Sequence, residues 1–234
     1  MFDIGYLIIT GVAGLIGGLI GQILKKKMTK YANMPIRAGI SGKEVAKKML
    51  DHYGIYDVQI VEGQGFLTDH YNPGAKVISL SPAIYRGQTI AAAAVAAHEC
   101  GHAVQHDQAY APLKMRSAVV PLVNISAKMQ QFLFMGAAFV GMGTASGSMG
   151  NYLLMALVAV FGVTALFSII TLPVEFDASA RALSWLDESG TLDGEEYRGA
   201  KDGLKWAAMT YVAAALSAIV MVLYFLMKLK ARQR

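Results

Sequence analysis

The sequence is poor in cysteine and in charged residues. Its 234 residues include one cysteine, Cys100, so no disulfide can form within the chain. Charged residues make up 16% of the sequence and hydrophobic residues 55%, and the mean hydropathy is +0.42. This composition is too apolar for an ordinary soluble domain and is typical of a small membrane protein with several spans. The sequence also shows no internal repeat, low-complexity segment or nucleotide-binding loop.

The basic net charge does not indicate a nucleic-acid-binding protein. The formal net charge is +5, but lysine and arginine residues crowd the ends of the apolar stretches, as in the run Lys25-Lys26-Lys27. Basic residues at these places are typical of segments that flank membrane spans. We therefore expect the lipid bilayer to be a partner of the chain and expect no nucleic acid.

The apolar stretches predict about four transmembrane helices. We predict one unit, made of a transmembrane helix at 6–24, a soluble module at 31–116, a transmembrane hairpin at 118–172, a soluble segment at 174–205 and a transmembrane helix at 207–227. Within the hairpin, Lys128 would be costly in the middle of the bilayer. Either Lys128 faces the helix bundle, or the helix begins at the surface and enters the membrane near Met129. A turn rich in glycine and serine, Gly141–Gly150, joins the two spans.

One motif, His98-Glu99-Cys100-Gly101-His102, predicts a metal site. Ser81-Pro82 and Gln88-Thr89 are plausible start signals for a helix that continues to about Gln108. Six of the eight residues before the motif are alanine, which favours this helix. On a helix the two histidines lie one turn apart on the same face, so that both imidazoles can bind one ion. Zn²⁺ is the natural candidate because it accepts neutral imidazole and leaves room for a water molecule. Glu99 is rotated by about 100° and can act on that water as a general base.

The third metal ligand has to come from elsewhere in the chain. His106 lies about 12 Å from His98 along the helix axis, which is too far to bind the same ion. A downstream pair of carboxylates, Glu175 and Asp177, follows Pro173, which can open a helix. These two side chains point about 200° apart, so one of them can bind the ion but not both. We prefer Glu175, in the first turn of that predicted helix.

The soluble module is predicted to have mixed α and β structure. Ser41 and Glu44 resemble a capping box that opens a helix to about Tyr53. Short strands are predicted at Asp57–Glu62 and Lys76–Leu80, and the cluster Asp69-His70-Tyr71 between them is predicted to be an exposed turn. The second strand either presents an open edge to an extended peptide, as strands before the metal helix of zinc peptidases do, or pairs only with the first strand.

The order of these features resembles a known family. A leading span, a small soluble module, the motif at His98–Gln105, a membrane hairpin and the segment Pro173–Ala178 together are similar to the YugP-like family of bacterial membrane neutral zinc metallopeptidases. The chain also resembles, more distantly, the HtpX-type and CAAX-prenyl membrane proteases, in which a Glu-x-x-x-Asp segment supplies the third ligand. That resemblance implies Glu175 as the ligand, whereas Ser179 stands at the position of the later Asp.

We therefore expect a predominantly α integral membrane protein with a small α+β zincin-like, minigluzincin-type catalytic module. The expected function is zinc-dependent hydrolysis of peptide bonds in a peptide or protein substrate, with His98, His102 and Glu175 as zinc ligands and Glu99 as the base. The resemblance implies a bacterial cell membrane, and the larger number of basic flanking residues favours a cytoplasmic catalytic side. Two alternatives remain: a non-catalytic, zinc-stabilised membrane adaptor or chaperone-like protein, and a protease that cuts within spans.

Overall fold

The computed structural model describes residues 3–65, 68–139 and 148–232. In these ranges the chain is mainly helical, as predicted, and has one small sheet. The helices are α1 (Ile4–Ala32), α2 (Gly42–His52), α3 (Pro82–Arg86), α4 (Ile90–Asp107), α5 (Ala111–Phe139), α6 (Ser148–Glu188) and α7 (Gly194–Arg232). The strands are β1 (Gln59–Glu62), β2 (His70–Asn72) and β3 (Val77–Leu80). The predicted turn at 141–150 falls outside the described residues, except for its last three, which belong to α6.

The described chain divides into two compact units. An α+β unit consists of Gly21–Lys114 and Pro173–Met209, and the other described residues form a helical unit. The chain leaves the α+β unit after Lys114 and re-enters it at Pro173. This return brings the two segments with predicted metal ligands into the same unit.

The helical unit contains the most apolar parts of the long helices. Among the described residues, three helices, α1, α6 and α7, are long and apolar enough to cross a membrane. The fourth predicted span, in α5, is not among them, and Lys128 with the polar Asn124, Gln130 and Gln131 lowers its apolarity. The core of this unit is formed by α6 and α7, and its buried residues are Leu154, Leu157, Phe161, Met221, Tyr224 and Phe225.

Two predicted helix boundaries are wrong. We expected a span to end at Leu172 and a new helix to open at Pro173, but α6 continues through Pro173 to Glu188. A proline removes one helical hydrogen bond, and packing of the flanking residues, such as the buried Thr171 and Val174, outweighs this loss. Likewise, α7 is one helix from Gly194 to Arg232, where a soluble segment to residue 205 and a separate span from residue 207 were expected.

The sheet of the α+β unit corrects the prediction of an open strand edge. Among the described residues the strand order is β1-β3-β2, with β1 parallel and β2 antiparallel to β3. Strand β3 therefore pairs on both sides and offers no edge to a peptide. The alternative, pairing with the first predicted strand only, is also wrong, because β2 lies on the other side of β3. Strand β2, at His70–Asn72, was expected to be an exposed turn. It is a strand because the turn at 73–76 folds it back onto β3.

Helix α4 lies at the centre of the α+β unit. The alanines from Ala91 to Ala97 are buried, and the helix packs against α2, α3, β2 and β3. The predicted capping box at the start of α2 is confirmed, since the Ser41 side chain accepts from the Glu44 amide and the Glu44 side chain accepts from the Ser41 amide. The small alanine side chains let these elements approach α4 closely, so the metal motif is fixed in a rigid core.

Candidate metal centre

Helix α4 positions both histidines of the motif. Thr89 caps its first turn by accepting a hydrogen bond from the Ala92 amide at 3.3 Å. This confirms Gln88-Thr89, one of the two predicted start signals. The other signal, Ser81-Pro82, begins the separate helix α3. On α4, the rings of His98 and His102 lie one turn apart, with 4.8 Å between their centroids.

A close contact between two helices brings the third predicted ligand to this pair. A Cβ atom at Gly101 would lie 2.4 Å from the backbone oxygen of Ala178, so only glycine allows α4 and α6 to approach this closely. Glu175 lies three residues before Ala178 on α6, on the side of α6 that faces the two histidines. The contact therefore decides which side chains of α6 reach the motif.

Three side chains converge at this point. The Glu175 Oε2 atom is 3.4 Å from His98 Nε2 and 3.6 Å from His102 Nε2. One ligand atom of each residue lies within 4.8 Å of the other two, and these three residues could hold a metal ion. Glu175 is only 2% exposed. Burying a carboxylate this deeply is unfavourable unless positive charge or hydrogen-bond donors lie next to it.

Glu99 lies on the same helix but outside the converging set. Its side chain is buried, at 7% exposure. Successive residues of a helix are rotated by about 100°, so Glu99 points in a different direction from His98 and His102. Burial of His102 disfavours its charged form, but hydrogen bonding to Glu175 and the charge of Glu99 outweigh burial and raise the pKa of His102. The carboxylates of Glu99 and Glu175 therefore favour positive charge at this centre.

Both histidine rings are held through the nitrogen that faces away from Glu175. The Nδ1 atom of His98 is 3.1 Å from the hydroxyl of Ser179, and the Nδ1 atom of His102 is 3.0 Å from Oε1 of Gln105. Each ring therefore presents Nε2 to the centre. Sequence reasoning missed both partners. It noted Ser179 only as a departure from the family pattern, although the i, i+3 spacing of His102 and Gln105 predicts neighbours on a helix.

The other candidate residues lie outside the converging set. Asp177 accepts a hydrogen bond from Gln105 Nε2 at 2.8 Å and pairs at 2.5 Å with Arg181, four residues further along α6. His106 Nδ1 is 2.8 Å from the hydroxyl of Tyr71, and burial, with the nearby Asp57 and Asp107, raises the pKa of Tyr71 to about 12. Cys100 is fully buried, and burial raises its pKa.

The donor set fits zinc. Two neutral imidazole nitrogens and one carboxylate are a ligand combination that Zn²⁺ uses in hydrolytic sites, where a fourth position is left for water. Calcium and magnesium prefer oxygen ligands, and two of these three donors are nitrogens. The buried carboxylate between two imidazoles gives the negative charge that such an ion requires.

Comparisons with known proteins agree with this chemistry. Residues 6–230 match the model of a family described as "Putative neutral zinc metallopeptidase". The chain is 38% identical over 204 residues to a Bacillus subtilis (strain 168) protein named "Putative membrane protease YugP", and the match covers 87% of each chain. No solved structure matches the chain. Because the family match and this relative both extend over most of the sequence, the chain belongs to the YugP-like family of neutral zinc metallopeptidases.

Proposed function

We propose that the chain is a membrane-bound zinc metallopeptidase in which His98, His102 and Glu175 hold the metal and Glu99 is the general base. The observation that carries this proposal is the convergence of two imidazoles and a buried carboxylate within 4.8 Å. The family and the name of the relative from Bacillus subtilis support peptide-bond hydrolysis. The small α+β unit, with its central α4, is proposed as a zincin-like module of the minigluzincin type.

The chain's own residues divide the chemistry between them. Bound zinc would supply a Lewis acid that polarises the peptide carbonyl and acidifies the attacking water. Glu99 accepts the proton of that water and then donates it to the leaving amine, so that one carboxylate serves as base and acid in turn. Ser179 and Gln105 keep the two histidine rings in orientation. The buried alanines of α4 pack closely against its neighbours and keep the motif rigid during the reaction.

The proposal includes four membrane spans and a cytoplasmic catalytic side. Helices α1, α6 and α7 are candidate spans. The chain leaves the α+β unit after Lys114 and re-enters it at Pro173. A unit on one side of the membrane requires an even number of crossings between these two residues. We therefore propose that α5 is the second span of the hairpin with α6. Apolar side chains exposed along α5, such as Ile125 and Phe132, are suited to lipid. Basic residues near the α+β unit, Lys25–Lys30 with Lys114, Arg116, Lys201 and Lys205, favour the cytoplasm.

The substitution Glu99→Gln tests the proposed role of Glu99. The amide cannot accept a proton, so we expect a loss of hydrolysis of at least about 100-fold, because general acid-base catalysis contributes about 10²–10⁴-fold. Zinc binding should remain, because Glu99 is not one of the three ligands. The measurement is degradation of an unfolded protein by the purified chain, together with its zinc content.

The matched control is Glu195→Gln, the same chemical change at an exposed position that is paired with Arg198. This control should keep full activity. A Glu99→Gln variant as active as the control would remove Glu99 from the mechanism. If neither the wild type nor the variants hydrolyse any peptide, yet zinc removal unfolds the chain, the zinc-stabilised adaptor or chaperone-like function replaces the proposal.

A further inference from the structure

Gln105 has an unusual environment for an amide side chain. It is 0% exposed, and it lies on α4 one turn after His102. Its Oε1 atom is 3.0 Å from His102 Nδ1, and its Nε2 atom donates to the backbone oxygen of Val174 at 2.7 Å and to Asp177 at 2.8 Å. Each end of the amide thus has partners within the protein, at a place where an unsatisfied polar group would be costly.

The partners determine which way the amide points. The Val174 carbonyl can only accept a hydrogen bond, and the Asp177 carboxylate, paired with Arg181, is also an acceptor. Both must therefore face the NH₂ group of Gln105, which leaves its oxygen toward His102. An oxygen there requires a proton on His102 Nδ1, so the neutral ring keeps its lone pair on Nε2, the atom that faces Glu175.

The same side chain also holds the helix that carries the third ligand. Val174 immediately precedes Glu175 on α6, and its carbonyl is bound by Gln105. Arg181, the partner of Asp177, donates to Gln108 Oε1 at 2.6 Å, so the residue immediately after α4 is also hydrogen-bonded to α6. Gln105 is therefore connected to one ligand by the ring of His102 and to another by the backbone next to Glu175.

We propose that Gln105 is a positioning residue with two effects. It keeps the proton of the neutral His102 ring on Nδ1, and it fixes the distance between His102 and Glu175. This inference rests on the proposed function, because it takes the three converging residues as zinc ligands. Gln105 touches neither substrate nor the reacting atoms. It acts through His102 and through the backbone of α6.

The test is the zinc affinity of the full-length chain in detergent, measured by competition with a chromophoric chelator. Gln105→Met keeps the length of the side chain but removes both the Oε1 acceptor and the Nε2 donor of the amide. Gln59→Met is the matched control, because it is the same change at an exposed position of the same unit, in β1. We expect Gln105→Met to weaken zinc binding by about 10–100-fold, the usual effect of removing a partner of a metal-bound histidine. Gln59→Met should bind zinc like the wild type.

An exchange variant separates positioning from a general loss of packing. Gln105→Glu alone should weaken zinc binding, because its carboxylate meets Asp177. Adding Asp177→Asn supplies an amide donor to that carboxylate and leaves an acceptor for His102 Nδ1, while the Val174 carbonyl still lacks the donor it has in the wild type. The total charge equals that of the wild type. We expect the double variant to bind zinc about tenfold more tightly than Gln105→Glu alone. The free energy of unfolding of both variants is measured alongside, because a purely structural role for Gln105 predicts recovered stability without a matching recovery of zinc affinity.

The outcomes are distinct. The inference is overturned if Gln105→Met binds zinc as tightly as Gln59→Met, or if the double variant binds it no better than Gln105→Glu. In both cases a zinc-binding wild type leaves the proposed function intact. A wild-type chain that binds no zinc would overturn the proposed function and this inference together.

Discussion

Ala109 occupies the left-handed region of the backbone, with φ of 55°, immediately after the helix that carries the metal motif. The amide of Ala109 donates to the His106 carbonyl at 3.1 Å, and the amide of Tyr110 donates to the Gln105 carbonyl at 2.9 Å. This pattern of hydrogen bonds closes a helix, and glycine is the usual residue at that position because an L side chain is strained there. The chain therefore ends α4 with a strained alanine.

We predict that Ala109→Gly raises the free energy of unfolding by about 0.5 kcal/mol, because relief of strain exceeds the entropy that glycine costs. The measurement is thermal unfolding in detergent, followed by tryptophan fluorescence. Ala180→Gly, at an exposed position in the middle of α6, is the matched control and should lower stability by about 1 kcal/mol. Shifts of the same sign in both variants would contradict the account of Ala109.

At the scale of single residues, the sequence alone led to the three candidate ligands that the structure brings together. The helical spacing of His98 and His102 placed both on one face, and elimination of His106 left a downstream carboxylate. The partners Ser179 and Gln105 could not be assigned in the same way. Their roles depend on which face of α6 meets α4, and that contact is between segments about 70 residues apart in the chain.

At the scale of the elements, the contact between α4 and α6 is controlled by Gly101. We predict that Gly101→Ala forces the two helices apart, because its Cβ atom would lie 2.4 Å from the Ala178 oxygen. Overpacking of this kind costs about 1–3 kcal/mol, and here it would also separate the two histidines from Glu175. Zinc affinity should therefore fall by at least about tenfold, as measured by chelator competition.

The control for this prediction is Gly162→Ala. A Cβ atom at Gly162 would meet nothing within 4 Å, so the same change in α6 should leave zinc affinity unchanged. Equal zinc affinities for the two alanine variants would mean that the distance between α4 and α6 does not govern the centre.

Element boundaries were harder to predict than the elements themselves. The capping box of α2 and the cap at Thr89 depend on neighbouring residues, and both are confirmed. In contrast, local reasoning ended a helix at Pro173 and treated residues 70–72 as a turn. Helix α6 continues because flanking turns and packing outweigh one lost hydrogen bond, and β2 exists because β3 offers it a partner. Both outcomes depend on tertiary contacts that a local pattern does not contain.

At the scale of the whole molecule, the number of spans decides on which side of the membrane each segment lies. With four spans, Tyr56 in the α+β unit and Ala231 at the end of α7 lie on opposite sides. With α1, α6 and α7 alone, they would lie on the same side. Both residues are exposed, and the natural Cys100 is fully buried, so an introduced cysteine can be labelled selectively.

We predict that a membrane-impermeant maleimide labels Ala231→Cys in intact cells and labels Tyr56→Cys only after the cells are permeabilised. This result follows from four spans with a cytoplasmic α+β unit. The unmodified chain is the control and should remain unlabelled in both conditions. Labelling of both variants, or of neither, in intact cells would contradict the fourth span, whereas labelling of Tyr56→Cys alone would reverse the orientation.

The central claim is that a carboxylate of α6 completes a zinc site begun by two histidines of α4. The most direct measurement is the zinc affinity of purified Glu175→Gln beside that of the wild type and of Glu188→Gln, the same change at an exposed position of the same helix. We predict one tightly bound zinc ion for the wild type and for Glu188→Gln, and at least about tenfold weaker binding for Glu175→Gln. Wild-type zinc affinity in Glu175→Gln would contradict the claim.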